Sequence, residues 1–160
     1  MKQRGFTILE IVIVIAFLLI LTSMVLPTSL RFRSSGDINA VINNFISDAK
    51  NQQIKAMLGD TEGGGIVDKY GIYLTSNKYV LFHGSTYSSS DTNNLSINMK
   101  SGIQILNSFP NNSIIFIQKS GEIASYNSGS DTITIKDNNN SISRILKFNK
   151  YGSIIDNNEN

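Results

Sequence analysis

The hydrophobic positions of this 160-residue chain change their spacing twice along its length. Over residues 6–26 they form an almost continuous apolar run, in which Glu10 is the one charged residue. From Ile38 they recur at steps of three and four residues, which predicts an amphipathic helix. From Ile66 onward the period is two, which predicts short β-strands. We therefore expect a long helical part followed by a β-sheet domain.

The apolar run over residues 6–26 is long enough to cross a membrane, since a helix needs roughly 20 residues to span about 30 Å of hydrocarbon. Within a membrane the carboxylate of Glu10 costs on the order of 3 kcal/mol, so it requires a hydrated position near the interface or a partner. Lys2, Arg4 and Gly5 precede the run, and only a poor signal-cleavage site follows it. The run is expected to be retained, with any processing before it.

The second pattern predicts a helix whose apolar face packs on the following domain. The stripe consists of Ile38, Val41, Ile42, Phe45, Ile46 and Ala49, extended slightly out of phase by Ile54, Met57 and Leu58. Asp37 is a suitable N-cap and Gly59 a suitable stop. The two patterns together predict a helix over residues 6–58, which is unbroken unless Gly36 and the serines before it bend or interrupt it. We favour a core role for the stripe over lateral contact with neighbouring subunits.

Short β-rich runs follow, separated by clusters of Gly, Ser, Asn and Asp, which form turns. The predicted strands are residues 70–74, 78–83, 95–99, 103–106, 113–118, 122–126, 132–136, 142–148 and 153–155. The expected fold class is therefore α+β, with a long N-terminal helix packed on an antiparallel β-sheet domain. The first half of that helix is expected to span a membrane, and the second half to be amphipathic.

The composition of the chain limits the classes of protein to which it can belong. The formal net charge of +2 includes Lys2 and Arg4, so loss of the residues before the apolar run would bring the chain close to neutrality. Bulk charge therefore gives no basis for binding nucleic acid or anionic lipid. The absence of cysteine excludes disulfides, thiolate metal ligation and a cysteine nucleophile. The residues after the apolar run suffice for one small domain with a modest core.

The residues Gly5-Phe6-Thr7-Ile8-Leu9-Glu10, between a basic leader and the apolar run, resemble the class III signal of type IV prepilins and type II secretion pseudopilins. In that family a prepilin peptidase cuts after the glycine and methylates the new amino terminus. The resemblance therefore implies cleavage after Gly5, N-methylation of Phe6, and a role for Glu10 as the assembly carboxylate. In a filament core, Glu10 would pair with the amino terminus of a neighbouring subunit. Pro27 also falls where many members have a proline.

A second, weaker resemblance concerns the β domain. Residues 116–123 and 148–154 each have the pattern of a strand, a glycine-bearing turn and a second strand. This arrangement is similar to the GspH/FimT type of minor pseudopilin. The implied organisation is a cleaved leader at 1–5, a transmembrane and polymerisation helix at 6–27, an amphipathic helix and linker at 28–62, and an extracytoplasmic β domain at 63–160.

The resemblance implies a structural subunit and not an enzyme: a minor pilin or pseudopilin of a type II secretion pseudopilus or a type IV pilus. The expected location is the bacterial inner membrane, crossed once with the amino terminus in the cytoplasm, and then the filament. Charges flank the apolar run on both sides, so this orientation depends on the resemblance. The expected partners are prepilin peptidase, other filament subunits and the inner-membrane assembly platform, and no cofactor is expected.

Two functions of other classes remain open. A DNA-binding minor pilin of a competence pilus would use basic residues of the β domain, of which the candidates are Lys119, Lys136, Arg144, Lys147 and Lys150. A membrane-anchored enzyme would rely on His83, the only histidine, which lies in no recognisable catalytic motif. Residues 137–140 and 156–159 carry oxygen ligands suited to calcium but lack the spacing of a known calcium loop, so we interpret them as solvated turns or a loose tail.

Overall fold

The structure, a computed structural model, describes residues 7–61 and 68–159, with the backbone alone for 23–37 and 156–159. The chain divides into two compact units, Met1–Asp37 and Ile38–Asn160. The first consists, where described, of helical backbone, and the second contains the end of the helix and all of the described β-strands. Two residues of the predicted processing site, Gly5 and Phe6, lie outside the described residues.

One helix, α1 (Ile8–Leu58), includes both of the predicted helical segments. Its carboxyl end is closed by Gly59, which has a φ of 67°. The Asp60 N–H donates to the Lys55 carbonyl at 3.0 Å, and the Gly59 N–H donates to the Ala56 carbonyl at 3.3 Å. These two bonds form a Schellman motif, which satisfies carbonyls that the end of a helix leaves without partners. The prediction that the helix stops at Gly59 is confirmed.

The predictions of an N-cap at Asp37 and of an interruption at Gly36 are wrong, because α1 continues through both positions. A glycine inside a helix costs about 1 kcal/mol relative to alanine, and aspartate costs less. A break would create two new helix ends, each with backbone groups that need other partners. Continuation of the helix is therefore the less costly arrangement.

Eight strands among the described residues form two four-stranded antiparallel sheets. The first sheet has the order β3-β2-β1-β5 and contains β1 (Tyr70–Leu74), β2 (Lys78–His83), β3 (Leu95–Asn98) and β5 (Ser113–Phe116). The second has the order β4-β6-β7-β8 and contains β4 (Ile103–Asn107), β6 (Thr132–Asp137), β7 (Ile142–Phe148) and β8 (Ile154–Glu159). The prediction of an α+β fold with antiparallel sheets is confirmed.

Two local predictions in the β domain are wrong. Residues 122–126 form no strand: Ile123 makes only an isolated bridge to Phe116, and Ser125 has a φ of 51°, which interrupts an extended backbone. Residues 156–159 are not a loose tail, because they belong to β8, which pairs with β7 as far as Arg144 and Glu159. Backbone pairing with β7 overrides the preference of the asparagines there for turns.

The core lies between one face of α1 and the inner faces of both sheets. Its helical members are Ile38, Ile42, Phe45, Ala49 and Ala56, and its sheet members include Ile72, Leu74, Ile114, Ile133, Ile135 and Leu146. The core interpretation of the stripe is therefore confirmed as far as Ala49. The predicted extension through Ile54, Met57 and Leu58 is wrong, since these side chains are exposed and the buried face continues through Gln52 and Ala56. Steps of three and four residues from Ala49 lead to Gln52 and Ala56, and not to Ile54.

Candidate functional site

The amino end of α1 is closed by a reciprocal pair of side chains, Thr7 and Glu10. The Glu10 N–H donates to the Thr7 hydroxyl oxygen at 3.3 Å, and the Thr7 N–H donates to Oε2 of Glu10 at 3.3 Å. The Thr7 hydroxyl also lies 3.4 Å from the same carboxylate oxygen, as a donor. This arrangement is a capping box, in which two backbone donors of the first turn are satisfied by side chains three residues apart.

The capping box gives Glu10 a local partner that the sequence-based prediction did not include. A carboxylate at the start of a helix is also favoured by the partial positive charge of the helix dipole there. The spacing Ser/Thr-x-x-Glu is a recognisable signal for this motif, and Thr7-Ile8-Leu9-Glu10 carries it. Thr7 is thus a site residue that the prediction missed, although its spacing from Glu10 signals the capping box.

Apolar side chains cover the first described turns of α1 on every side. Those between Ile8 and Leu21 range in exposure from 48% for Ile13 to 83% for Ile8. Within the described residues, no helical segment combines the length and the hydrophobicity that a bilayer crossing needs.

The predicted cleavage point and methylation site, Gly5 and Phe6, lie outside the described residues. Of the three predicted site residues, Glu10 is therefore the one that the structure places. It lies in the first turn of α1, and its carboxylate bonds to the backbone of Thr7, the residue that follows Phe6 in the chain.

In the second unit, Gln53 of α1 binds both of the glycine-bearing turns that the sequence pattern singled out. Its Nε2 donates to the carbonyl of Gly121 at 2.8 Å and to the carbonyl of Tyr151 at 2.6 Å. The two turns also bond to each other, because the Ile123 N–H donates to the Lys150 carbonyl at 2.9 Å. We call this set of contacts the Gln53 clasp.

Both turns of the Gln53 clasp favour glycine. A Cβ atom added at Gly121 would lie 2.7 Å from Cγ of Met57, and one added at Gly152 would lie 2.7 Å from Nε2 of Gln53. The φ angles, 68° for Gly121 and 72° for Gly152, are in the left-handed region that glycine adopts at little cost. The two glycine-bearing patterns at residues 116–123 and 148–154 therefore correspond to two turns that approach the same helix closely.

Two tyrosines of the second unit donate to carboxylates. Tyr79 on β2 donates to Oδ2 of Asp48 on α1 at 2.6 Å, and Tyr126 donates to Oδ2 of the buried Asp131 at 3.0 Å. Burial raises the pKa of the Tyr79 phenol, and the hydrogen bond and negative charge of Asp48 raise this pKa further. Desolvation and then Asp131 raise the pKa of Tyr126 in the same way. Both phenol groups therefore serve as structural hydrogen-bond donors.

The basic residues proposed for DNA binding are distributed over different faces. Arg144 is 9% exposed and lies on the core side of β7, in line with Leu146. Lys147 belongs to the opposite face of that strand, and Lys150 forms an ion pair with Glu122 at 3.2 Å. The remaining two candidates, Lys119 and Lys136, are both exposed. The fold therefore does not align the five positions on one sheet face.

The remaining chemical candidates take part in local packing and in a turn. His83 ends β2, and its ring lies against that of Tyr70, with 4.7 Å between the ring centroids. The Asp137 carboxylate accepts bonds from the Asn139 N–H at 2.9 Å and from Nδ2 of Asn140 at 2.8 Å, as part of the turn between β6 and β7. Among the described residues, no group of His, Cys, Asp and Glu side chains is arranged to hold a metal ion.

Comparison of the chain with models of protein families, with curated proteins and with solved structures finds no match.

Proposed function

We propose that this chain is a structural subunit of a filament, a minor pilin or pseudopilin that prepilin peptidase processes and that assembles into a type II secretion pseudopilus or a type IV pilus. The observation that carries the proposal is an exposed apolar helix with a carboxylate, Glu10, in its first turn. The prepilin-like residues next to that turn supply the processing step.

The exposed side chains at the start of α1 require a partner that covers them. Soluble monomers rarely expose a contiguous apolar patch larger than a few hundred Å². A helix that is apolar on all sides is usually buried, either in lipid or among other helices. The proposed span takes in residues 6–27, of which residues 7–22 are described with their side chains. In the precursor, lipid would cover this segment, and in the filament the same segment of neighbouring subunits would replace the lipid.

The position of Glu10 suits a charge pair between subunits. The capping box holds its carboxylate against the backbone of Thr7, and cleavage after Gly5 would create a cationic amino terminus on Phe6, directly before Thr7. In an apolar filament core, pairing of that carboxylate with the amino terminus of a neighbour would satisfy two charges that are costly to bury alone. Such a pair would also fix the axial register between subunits.

The proposal can be tested by removing the carboxylate in a bacterium that makes such filaments. Glu10→Ala is expected to remain in the membrane, to be processed, and to be lost from sheared filaments in an immunoblot. Glu122→Ala is the matched control, because it removes a carboxylate whose ion pair lies at the surface of the second unit, where such pairs contribute little. Equal incorporation of Glu10→Ala and Glu122→Ala would contradict the assembly role.

A further inference from the structure

The two sheets of the second unit have four outer edges, and neighbouring segments close two of them. At the outer edge of β5, the Ala124 N–H donates to the Ile115 carbonyl at 2.7 Å. At the outer edge of β4, the Ile105 N–H donates to the carbonyl of Ser76, in the turn between β1 and β2, at 3.0 Å. The other two edges belong to β3 and β8. Within the described residues, β3 has β2 as its only strand neighbour, and β8 has only β7.

The β3 edge is exposed, and its backbone groups point outward. Three of its four residues are exposed, and Leu95 is 60% exposed. The Met99 N–H donates to the Asn77 carbonyl at 2.8 Å, on the side of β2. Because backbone groups alternate between the two sides of a strand, Ser96 and Asn98 direct their N–H and C=O groups away from β2. β3 contains no charged residue, proline or bulge, which are features that protect an edge from pairing.

The second open edge, β8, differs from β3 in charge. Its sequence includes two acidic residues, Asp156 and Glu159. Like charges opposite each other destabilise a pair of strands, which disfavours the pairing of one β8 edge with another. β3 itself is uncharged, and Lys78 of β2 is the register partner of Asn98, so the nearest charge to this end of β3 in the sheet is positive. The two edges are therefore complementary in charge.

The two open edges lie at opposite sides of the β domain. Residues 99–102 join β3 directly to β4, so the first strands in the two strand orders are neighbours. The Ile123 N–H donates to the Lys150 carbonyl at 2.9 Å, which brings the segment after β5 against the turn before β8. A contact between two different surfaces of a subunit is heterologous, and unless it closes into a ring it builds an open filament.

We propose that the β3 edge of one copy of this chain pairs with the β8 edge of a second copy, so that their sheets become continuous. Main-chain hydrogen bonds of Ser96 and Asn98 supply the attraction, as in other cases of strand addition to a sheet edge. The exposed side chains of Leu95 and Ile155 add apolar surface at the two edges. The inference adds a contact between β domains to the proposed filament, and it does not depend on leader cleavage or on the Glu10 charge pair.

The test is crosslinking between copies of the full chain, which has no cysteine of its own. Two singly substituted chains, Asn98→Cys on β3 and Asn157→Cys on β8, would be mixed in phosphatidylcholine vesicles and treated with a bismaleimide. A reach of about 10 Å tolerates a shift of two or three residues in register. We expect the mixed product to form roughly fivefold faster than the product of Asn157→Cys with Gln104→Cys. Gln104 is the matched control, because it is an exposed residue on β4, whose edge is closed.

Two further variants test the geometry of the contact. A chain that carries both Asn98→Cys and Asn157→Cys is expected to give a ladder of multimers, because a contact between two different edges can be repeated. Ser96→Pro removes an outward N–H of β3 and leaves the bonds to β2 in place, as proline does at edge strands. It is expected to reduce the crosslinking rate to that of the Gln104→Cys control, whereas Ser96→Ala, which keeps the N–H, is expected to leave the rate unchanged. If Ser96→Pro fails to fold, the comparison with Gln104→Cys still decides.

The proposal is overturned if the β3–β8 product forms no faster than the Gln104→Cys control product. It is also overturned if Asn98→Cys alone gives homodimers faster than it gives the mixed product, which would indicate a closed β3–β3 dimer. A doubly substituted chain that stops at dimers, or a folded Ser96→Pro variant with an unchanged rate, would have the same consequence. Amino-terminal processing is measured separately, so failure of this contact and failure of the proposed function are distinguishable.

Discussion

Gly152→Ala is expected to be strongly destabilising, because the added methyl group meets the Gln53 clasp. The new Cβ would lie 2.7 Å from Nε2 of Gln53 and 3.0 Å from the ring of Phe116. Alanine at a φ of 72° costs about 1 kcal/mol of backbone strain. Displacement of Gln53 would also weaken its bonds to the carbonyls of Gly121 and Tyr151, each worth about 1 kcal/mol. We therefore expect a loss of about 3 kcal/mol in the free energy of unfolding.

Gly59→Ala is the control for backbone strain, because Gly59 has a φ of 67°, close to the 72° of Gly152. The assay is urea unfolding of the full chain in nanodiscs, followed by tyrosine fluorescence. Gly152→Ala is expected to cost about 2 kcal/mol more than Gly59→Ala, and most of that difference is expected to disappear in a Gln53→Ala background. Equal costs for the two glycine variants, or an excess that persists without Gln53, would refute the reasoning.

Three further predictions concern the stability of the second unit, and the same urea assay measures each. The pKa of Tyr79 is higher in the folded chain than its unfolded value near 10, so stability is full below about pH 10 and falls above it by up to about 1.4 kcal/mol per pH unit. Tyr79→Phe should reduce this alkaline slope, and an unchanged slope would contradict the assignment. Gly59→Ala should cost about 1 kcal/mol, because the Schellman motif needs a left-handed residue there, and a neutral effect would argue against the motif. Phe45→Ala should cost about 4 kcal/mol by leaving a cavity in the core, whereas a cost below about 1 kcal/mol would mean that the stripe is not buried as described.

The spacing of apolar residues was sufficient to predict most secondary structure, since burial on one face imposes a period of two or 3.6 residues. The structure gives β1, β2 and β7 the predicted bounds. Residues 122–126 have the same alternation without forming a strand, because their pairing with β5 is limited to the single bridge between Ile123 and Phe116 and the left-handed Ser125 follows directly. Alternation alone does not reveal whether a partner strand is present.

The roles of polar residues that are buried or make close contacts were the least predictable part of the structure. Gln52 and Gln53 are adjacent and chemically identical, yet Gln52 is buried and Gln53 joins two turns. Only the phase of α1 relative to both sheets separates their roles, and a single sequence does not display that phase. The glycine pattern around Gly121 and Gly152 indicated turns, but their common contact with Gln53 depends on the order of strands in the sheets.

The central proposal, that the chain is a processed filament subunit, is tested most directly at its amino terminus. The full chain would be coexpressed with an active prepilin peptidase, and its intact mass and amino-terminal sequence would be determined beside a Gly5→Leu variant and a known prepilin. The account predicts N-methylated Phe6 as the new terminus in the unaltered chain and an uncut Gly5→Leu variant. A chain that still begins at Met1, while the known prepilin is cut in the same cells, would contradict it.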